Sequence, residues 1–122
     1  RRTVCFLISD FLGMDDALGD ALARASRRHD IIGLRVSDPG EERLPGGSLP
    51  LALVDPEGSA ELVLANGRRP RAAYAAAWTA QRQRVAALFR GAGCDLVDLR
   101  SDGAAAPAMM RFFSERRRRI HA

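Results

Sequence analysis

The chain has 122 residues, of which 47% are hydrophobic, and this length and composition suit a single domain with one buried core. No apolar run approaches the ~20 residues that cross a bilayer, and no signal peptide is visible, so we expect no membrane contact by this segment. The formal charge of +4 comes largely from arginine, since the chain contains no lysine. Because no aromatic residues interleave the arginines, we expect no nucleic-acid partner.

The first half of the chain predicts a β-α-β unit, whose crossover is almost always right-handed. The apolar run from Thr3 to Ile8 indicates a strand covered on both faces in a parallel sheet. Asp15 and Asp16 then open a helix with an apolar stripe on one side. Ile31 to Val36 predicts the second strand. Cys5, in the first strand, and Cys94, in a later one, are expected to be buried thiols in a reducing, cytoplasmic compartment.

The second half begins with an irregular loop, residues 38–50, which holds three prolines and three glycines. Two short apolar runs then flank Asp55-Pro56-Glu57-Gly58, which predicts a β-hairpin over residues 49–65, inserted into a single α/β domain that covers residues 1–122. Pro70 stands near the start of a long helix that Gly91 and Gly93 end. Residues 94–99 predict the third parallel strand and residues 107–118 the last helix.

This order of elements leaves one part of the sheet without cover. If the three parallel strands lie side by side in sequence order, right-handed crossovers place the first two helices on the same face. The last helix can cover only part of the other face, and the apolar first strand keeps an unpaired edge, which soluble proteins normally avoid. We therefore expect that the chain is part of a larger fold or that it forms a homo-oligomer.

A Ser-Asp dipeptide ends each predicted parallel strand: Ser9-Asp10, Ser37-Asp38 and Ser101-Asp102. Because the carboxyl ends of parallel strands share one edge, and ligands of open α/β sheets bind outside that edge, these six residues are the candidate binding edge. For Asp10 the alternative is a turn or helix-capping carboxylate. For Asp38 and Asp102 a structural role in a turn is favoured over ligand binding, because Asp-Pro and Asp-Gly form turns in their own right.

The other polar and aromatic features favour structural interpretations. No catalytic residue is predicted, because His29 lies at the opposite end of the sheet from Asp10 and His121 lies at the chain terminus. Arg116 to Arg119 could bind phosphates, but at the end of a helix they also complement the helix dipole. Tyr74 and Trp78, one helical turn apart, could mark a partner-binding stripe, although core packing is the favoured interpretation.

Five ordered motifs resemble the C-terminal half of the domain-of-unknown-function family 58. They are Ile8-Ser9-Asp10-Phe11, Arg28-His29-Asp30-Ile31-Ile32, Asp38-Pro39-Gly40-Glu41 running to Leu44-Pro45, Asp55-Pro56-Glu57-Gly58, and Phe112-Phe113-Ser114-Glu115-Arg116-Arg117. Members of that family carry a von Willebrand factor A-like domain. The resemblance implies a Rossmann-like, doubly wound parallel sheet, three-layered or partly open, of which this chain supplies the later strands as an incomplete domain.

The same resemblance implies a possible cation site. Such domains can bind a divalent cation through an Asp-x-Ser-x-Ser motif, which this sequence lacks, and a later Asp, which corresponds to Asp10 with Ser9 beside it. Mg²⁺ in the intact protein is the cofactor implied. Family members often occur beside genes for AAA-type ATPases, and some relatives have N-terminal hydrophobic segments, so the resemblance implies an ATPase partner and a membrane-anchored parent protein.

Three functions follow as expectations. The first is a non-enzymatic protein-protein interaction module that uses the loops at the carboxyl ends of its strands. The second is a metal-dependent phosphate- or nucleotide-handling enzyme that uses Asp10, Asp38 and Asp102, because carboxylates at one strand edge suit Mg²⁺-assisted phosphate chemistry. The third is a purely structural fragment whose exposed strand edge and hairpin are oligomerisation surfaces.

Overall fold

The structure, a computed structural model, describes residues 2–47, 50–54, 61–64, 67–103 and 105–121. The predicted elements are present and differ from the prediction only at their ends. They are β1 (Val4–Ser9), α1 (Asp16–Ser26), β2 (Asp30–Ser37), β3 (Leu51–Val54), β4 (Glu61–Leu64), α2 (Arg68–Gly91), β5 (Asp95–Arg100) and α3 (Ala105–His121). The predicted turn at Asp55 to Gly58 lies outside the described residues.

The strands form a mixed α/β architecture with two separate sheets. β1, β2 and β5 form a parallel sheet in that order, so the predicted side-by-side arrangement is confirmed. β3 and β4 pair antiparallel as a second, two-stranded sheet, which agrees with the predicted hairpin strands. The three-stranded sheet is consistent with an incomplete Rossmann-like fold.

One face of the parallel sheet packs against α1 and α2. Asp15 caps α1, because its Oδ1 accepts a hydrogen bond of 2.9 Å from the backbone N–H of Ala17. The core on this face consists of Phe11, Leu22, Ile31, Val85 and Phe89. Removing such side chains from water supplies the main favourable term in folding.

The opposite face packs against α3 around a smaller core of Ile32, Leu34 and Val97. Met109 and Phe112 of α3 pack on these residues. α3 follows β5 in the chain and contacts it, so its cover is centred on β5 and β2 rather than on β1. The two helical layers therefore do not enclose the sheet equally.

The apolar run of β1 suggested cover on both faces, and this expectation is wrong, whereas the incomplete cover expected from the order of the elements is confirmed. Val4, Phe6 and Ile8, whose side chains point to the α3 side, are 52%, 47% and 68% exposed. The rings of Phe6 and Phe113 meet edge to face, with centroids 6.3 Å apart, and Phe113 is itself 42% exposed. In the described part of the chain β1 pairs only with β2. We call Val4, Phe6, Ile8 and Phe113 the open face.

The two cysteines are free thiols, as expected, but they are only partly buried, which corrects the expectation of buried thiols. Both pack against the core beneath α1 and α2. Burial, followed by the negative charge of Asp95, raises the pKa of the Cys94 thiol. Separately, none of the helices in the described ranges combines the length and apolar character that a bilayer span requires.

Candidate functional site

The parallel pairing places the three Ser-Asp dipeptides at one edge of the sheet, but at different positions along the strand direction. The last residue of β1, Ser9, is opposite Arg35, so β2 continues two residues further, to Ser37. Asp10 therefore lies about 7 Å lower along the strand direction than Asp38. Ser37 in turn is opposite Arg100, and the N–H of Ser101 donates a 3.0 Å hydrogen bond to the carbonyl of Ser37.

Each of the three carboxylates is engaged within its own loop. Asp10 Oδ1 accepts from the N–H of Leu12 at 2.9 Å, and Asp38 Oδ1 accepts from the N–H of Gly40 at 2.7 Å. Asp102 Oδ2 accepts from Arg100 Nε at 3.2 Å. The Asp10 and Asp38 contacts, each from the N–H two residues further on, match the turn-forming interpretation, whereas Asp102 forms an ion pair with Arg100.

The described residues include no group of three or more His, Cys, Asp or Glu side chains arranged to hold a metal ion. The enzyme alternative, which needs Asp10, Asp38 and Asp102 as one cluster, gains no support from this geometry. Ser9 and Asp10 are adjacent at the end of β1, and Ser9 Oγ accepts a hydrogen bond of 3.0 Å from the N–H of Phe11.

The turn after β1 contains a strained residue, Phe11, whose φ of 56° lies in the left-handed region that non-glycine residues rarely adopt. Two side chains hold it there: Ser9 Oγ accepts from its N–H, and Gln81 Nε2 donates to its carbonyl at 3.2 Å. The Phe11 ring is 1% exposed and meets Phe89 edge-on at 5.2 Å between centroids. Such strain costs on the order of 1–3 kcal/mol and persists only where surrounding contacts determine it.

A cleft opens between this turn, the end of β2 and one side of α2. Its enclosed volume is about 20 Å³, which is room for about one water molecule. Ser37 and Trp78 line it from two sides, with Asp10, Glu41 and Val36 at its walls. We call it the Ser37-Trp78 cleft.

Two residues that line this cleft each carry a buried polar atom with no hydrogen-bond partner among the residues that the structure describes. Ser37 is 5% exposed, and its Oγ is buried without a partner among the described residues. The buried Nε1 of Trp78 likewise lacks one. Buried polar groups in native proteins are nearly always satisfied, so such a pair calls for an explanation.

Tyr74 and Trp78 do not serve as core residues, which corrects the favoured prediction. Their rings stack at 6.4 Å between centroids with 20° between planes, and the Tyr74 hydroxyl donates to the Glu41 carbonyl at 2.7 Å. The reason is length: α2 has 24 residues and spans about 36 Å, whereas the 8 residues of β2 span about 26 Å. The N-terminal turns of α2 therefore pass the carboxyl edge of the sheet.

An ion pair between the buried Arg35 and the half-exposed Asp98, below the cleft, was not predicted. Arg35, 6% exposed, donates through Nε to Asp98 Oδ1 at 2.6 Å and through Nη1 to the carbonyl of Arg82 at 2.8 Å. Arg82 Nη2 also contacts Asp98 Oδ1 at 2.9 Å. The available signal was Arg35, a charged residue within the apolar run from Ile31 to Val36. Asp98 does not stand out in the same way, because β5 also contains Asp95 and Arg100.

These contacts change the titration of Asp98. Burial acts to raise the pKa of its carboxyl, but the hydrogen bonds and positive charges of Arg35 and Arg82 outweigh burial and hold the pKa below its ordinary value. Asp98 therefore remains ionised beside the buried guanidinium of Arg35.

The remaining predicted features lie away from the cleft. His29 is in the turn after α1, at the amino end of β2, as predicted. Arg116 bridges the amino ends of two strands: Nη1 donates to Asp95 Oδ2 at 2.6 Å and Nη2 donates to Asp30 Oδ1 at 2.6 Å. Arg116 thus links α3 to β2 and β5 within the fold.

Comparison with known proteins gives relatives whose function is not characterised. The chain is 33% identical over 118 residues to the uncharacterized protein Rv1480 of Mycobacterium tuberculosis and to the uncharacterized protein Mb1516 of Mycobacterium bovis. Each alignment covers 97% of this chain but 37% of the relative, so the chain spans little more than a third of their length. The uncharacterized protein MAV169 of Mycobacterium avium is 30% identical over 118 residues, which is 69% of that protein.

No solved structure matches the chain. A family model described as "Protein of unknown function DUF58" matches residues 1–84. That range includes the first four motifs noted above, while the Phe112 to Arg117 motif lies beyond it. The alignments to the mycobacterial proteins extend over nearly the whole chain. The chain therefore belongs to the DUF58 family of proteins of unknown function.

Proposed function

We propose that this chain is the later part of a von Willebrand factor A-like interaction domain, which binds a partner protein through the loops at the carboxyl edge of its sheet. The observation that carries the proposal is the parallel order β1-β2-β5, which gathers the loops after Ser9, Ser37 and Arg100 at one edge. Ligands of open α/β sheets bind outside that edge. The partner we propose is an AAA-type ATPase.

The carboxyl edge of the parallel sheet carries exposed acidic side chains. Asp10, Asp38 and Asp102 are exposed; one oxygen of Asp10 and of Asp38 accepts from the backbone of its own turn, and one oxygen of Asp102 accepts from Arg100. Within the described ranges the other oxygen of each carboxylate accepts no hydrogen bond, and we propose that it contacts the partner. Rigid turns lower the entropy that is lost when a partner binds.

A divalent cation is part of the proposal for the intact protein. Mg²⁺ prefers six oxygen ligands in near-octahedral array, and the Asp10 carboxylate and the Ser9 hydroxyl are oxygen donors of the right kind. They supply two of the positions at most. Other parts of the intact protein, water and an acidic group of the partner would supply the rest.

The domain is proposed to be completed by the rest of a longer polypeptide, which covers the open face and pairs with the edge of β1. An exposed, unpaired, apolar edge strand is a liability that native proteins normally cover. The chain spans only 37% of the length of the mycobacterial relatives Rv1480 and Mb1516, so relatives of this size contain enough additional chain to do so. A homodimer through the same face is the competing outcome.

The partner proposal is tested with Asp10→Asn in the full-length protein. Asparagine retains an oxygen that can accept from the N–H of Leu12 but removes the charge, so the turn is retained. We expect the variant to lose its Mg²⁺-dependent association with the proposed AAA-type ATPase. Calorimetry with and without chelator measures this association. Asp20→Asn, an exposed substitution on α1, is the matched control. Association that is unchanged in Asp10→Asn would contradict the proposal.

The completion of the domain is tested by hydrogen exchange. We expect the backbone amides of β1 to exchange more slowly in the full-length protein than in the 122-residue chain, at a concentration where both are monomeric by sedimentation. Equal exchange rates would count against cover by the rest of the polypeptide. Protection that appears only as the 122-residue chain dimerises would favour the homodimer.

A further inference from the structure

We propose that a groove at the end of α1 binds an extended acidic segment, rich in aspartate or glutamate, of a partner protein. We call it the α1-end groove. It lies at the amino end of the parallel sheet, because α1 runs back between two parallel strands that it connects. The proposed function uses the loops at the opposite, carboxyl edge. The groove and those loops are therefore two separate surfaces.

The α1-end groove is open to solvent and large enough for a peptide. Its volume is about 600 Å³, and it is lined by Ala21, Arg24, Ala25, Arg27, Arg28 and His29. Ala21 and Ala25 are one turn apart on the same side of the helix, where their short side chains leave space beside the longer arginines. The backbone N–H groups of Arg28 and His29 both donate to the Ala25 carbonyl, at 3.1 and 2.9 Å. The backbone that carries the arginines is thereby fixed.

The arginines of the groove are not neutralised by the fold. Arg24, Arg27 and Arg28 are exposed. None of the three forms an ion pair with another residue that the structure describes. Asp20 lies one turn before Arg24 on α1, yet the two side chains stay beyond ion-pair distance. Three guanidinium groups therefore retain their N–H donors for a ligand.

The surroundings of the groove add positive charge. Arg2, which precedes β1, and Arg90, in the last turn of α2, are exposed at the same end of the sheet. The aspartates at the amino ends of two strands, Asp30 and Asp95, are already held by Arg116. An acidic ligand therefore approaches this end of the molecule in an attractive field.

The end of a helix favours carboxylates over phosphate as the anionic groups. The last turn of α1 carries the negative pole of the helix dipole and presents carbonyls, whereas phosphate sites commonly use the N–H groups of a helix N-terminus. A carboxylate bears a single charge and pairs with one guanidinium through two parallel hydrogen bonds. Carboxylates spaced along an extended chain can each meet a different arginine, so an acidic segment fits this groove.

The lining of the groove favours a protein segment over a membrane or a nucleic acid. Among the described residues that line it there is no Phe, Tyr or Trp and no large aliphatic side chain. Surfaces that lie on bilayers insert such side chains, and single-stranded nucleic acids stack on aromatic rings. A concave groove between arginines instead suits a narrow chain that is held by charge.

The test measures binding of a fluorescein-labelled peptide of glutamates to the full-length protein by anisotropy. A glutamine peptide of equal length is the neutral probe. We expect the glutamate peptide to bind saturably and more weakly as the ionic strength rises, and the glutamine peptide not to bind at the same concentrations. Absence of glutamate-peptide binding would overturn the proposal. Tighter binding of duplex DNA or of phosphatidylserine vesicles in the same buffer would overturn the choice of an acidic segment.

A pair of double variants assigns the binding to the groove. Arg24→Gln combined with Arg28→Gln should weaken binding of the glutamate peptide about tenfold, because two charge-assisted contacts are lost. Arg68→Gln combined with Arg69→Gln removes the same charge from exposed positions at the start of α2, at the other end of the sheet. This control should bind within about twofold of the wild type, because distant exposed charges are screened. Equal losses in the two double variants would mean that net charge, and not the groove, attracts the peptide.

A variant that retains every arginine gives a second readout. Ala21 is exposed on the floor of the groove, and glutamate is a good helix former, so Ala21→Glu should fold. The new carboxylate would occupy the arginines, and we expect it to weaken binding of the glutamate peptide. Ala21→Gln fills the groove to the same extent without the charge and should bind more tightly than Ala21→Glu. Equal affinities of these two variants would contradict the proposal.

Discussion

Gly33 of β2 lies directly under the ring of Phe89 of α2. A Cβ atom at position 33 would stand 2.4 Å from Phe89 Cε1 and 2.6 Å from Phe89 Cζ, closer than any real Cβ contact. Phe89 is fully buried and holds α2 against the sheet. The absence of a side chain at Gly33 therefore sets the distance between helix and sheet on which the Ser37-Trp78 cleft depends.

Gly33→Ala is expected to lower the free energy of unfolding by about 1–3 kcal/mol, because the aromatic ring cannot move away within a packed core. Urea denaturation would measure the loss. Gly91→Ala is the control, since a Cβ there meets no atom within 4 Å, and it should be neutral or stabilising. If Gly33→Ala combined with Phe89→Leu costs no less than the sum of the single changes, the clash is not the cause.

The Asp98 carboxylate is expected to make stability depend on pH in the acid range. Its folded-state pKa lies below the ordinary value of 3.8, so its contribution is complete above that value and is lost as the pH falls through the folded-state pKa. We expect Asp98→Asn to lower the free energy of unfolding at pH 7 by about 0.5–1.5 kcal/mol, because the side chain is 46% exposed and partly screened. The difference from the wild type should shrink below about pH 4. A difference that is equal at pH 7 and pH 2.5 would rule out the ionised carboxylate as its origin.

Arg116 is expected to be the arginine of the Arg116–Arg119 run that matters most for stability. Its guanidinium joins Asp30 of β2 and Asp95 of β5 to α3, and its side chain is only 19% exposed. Arg116→Ala should cost about 1–3 kcal/mol in thermal or urea unfolding, since charge-assisted hydrogen bonds are lost at two carboxylates. Arg117→Ala, an exposed neighbour, should change stability by less than about 0.5 kcal/mol. Equal losses of stability in the two variants would mean that these arginines act through the helix dipole, and not through the ion pairs of Arg116 with Asp30 and Asp95.

Cys94 is expected to react slowly with thiol reagents at neutral pH. Burial and the charge of Asp95 raise its pKa above the ordinary 9.0, and only the thiolate reacts. In a Cys5→Ser variant, the rate of alkylation by iodoacetamide should rise with pH with a midpoint above that of a small thiol measured alongside. A midpoint equal to or below that reference would show that the environment does not disfavour the thiolate.

Much of the sheet could be predicted because its signals are local. Apolar β-branched runs, such as that from Ile31 to Val36, and the acidic start of α1 at Asp15 depend only on neighbouring residues. On the premise that the three parallel strands lie side by side in sequence order, right-handed crossovers then predict a sheet that is incompletely covered beside β1. The side-by-side order and the incomplete cover are both present.

The cleft could be predicted only in part. Ser37 and Asp10 were candidates because each follows an apolar strand. Trp78 was assigned to the core, because helical spacing reports which face of α2 is apolar but not how far the helix extends past the sheet. The salt bridge between Arg35 and Asp98 joins residues 63 positions apart, and its pairing depends on the β2-β5 register. No local pattern encodes that register.

The sequence by itself determined the type and order of the elements, the parallel direction of the three strands and the edge to which the Ser-Asp dipeptides belong, because hydrophobic period and turn chemistry act over a few residues. Only the tertiary structure decided the two-residue offset between Ser9 and Ser37, the strained turn at Phe11 and the two unpartnered groups in the cleft. These depend on how α2 packs over Gly33 and past the end of β2, and packing between distant segments is set by the shapes of many side chains together.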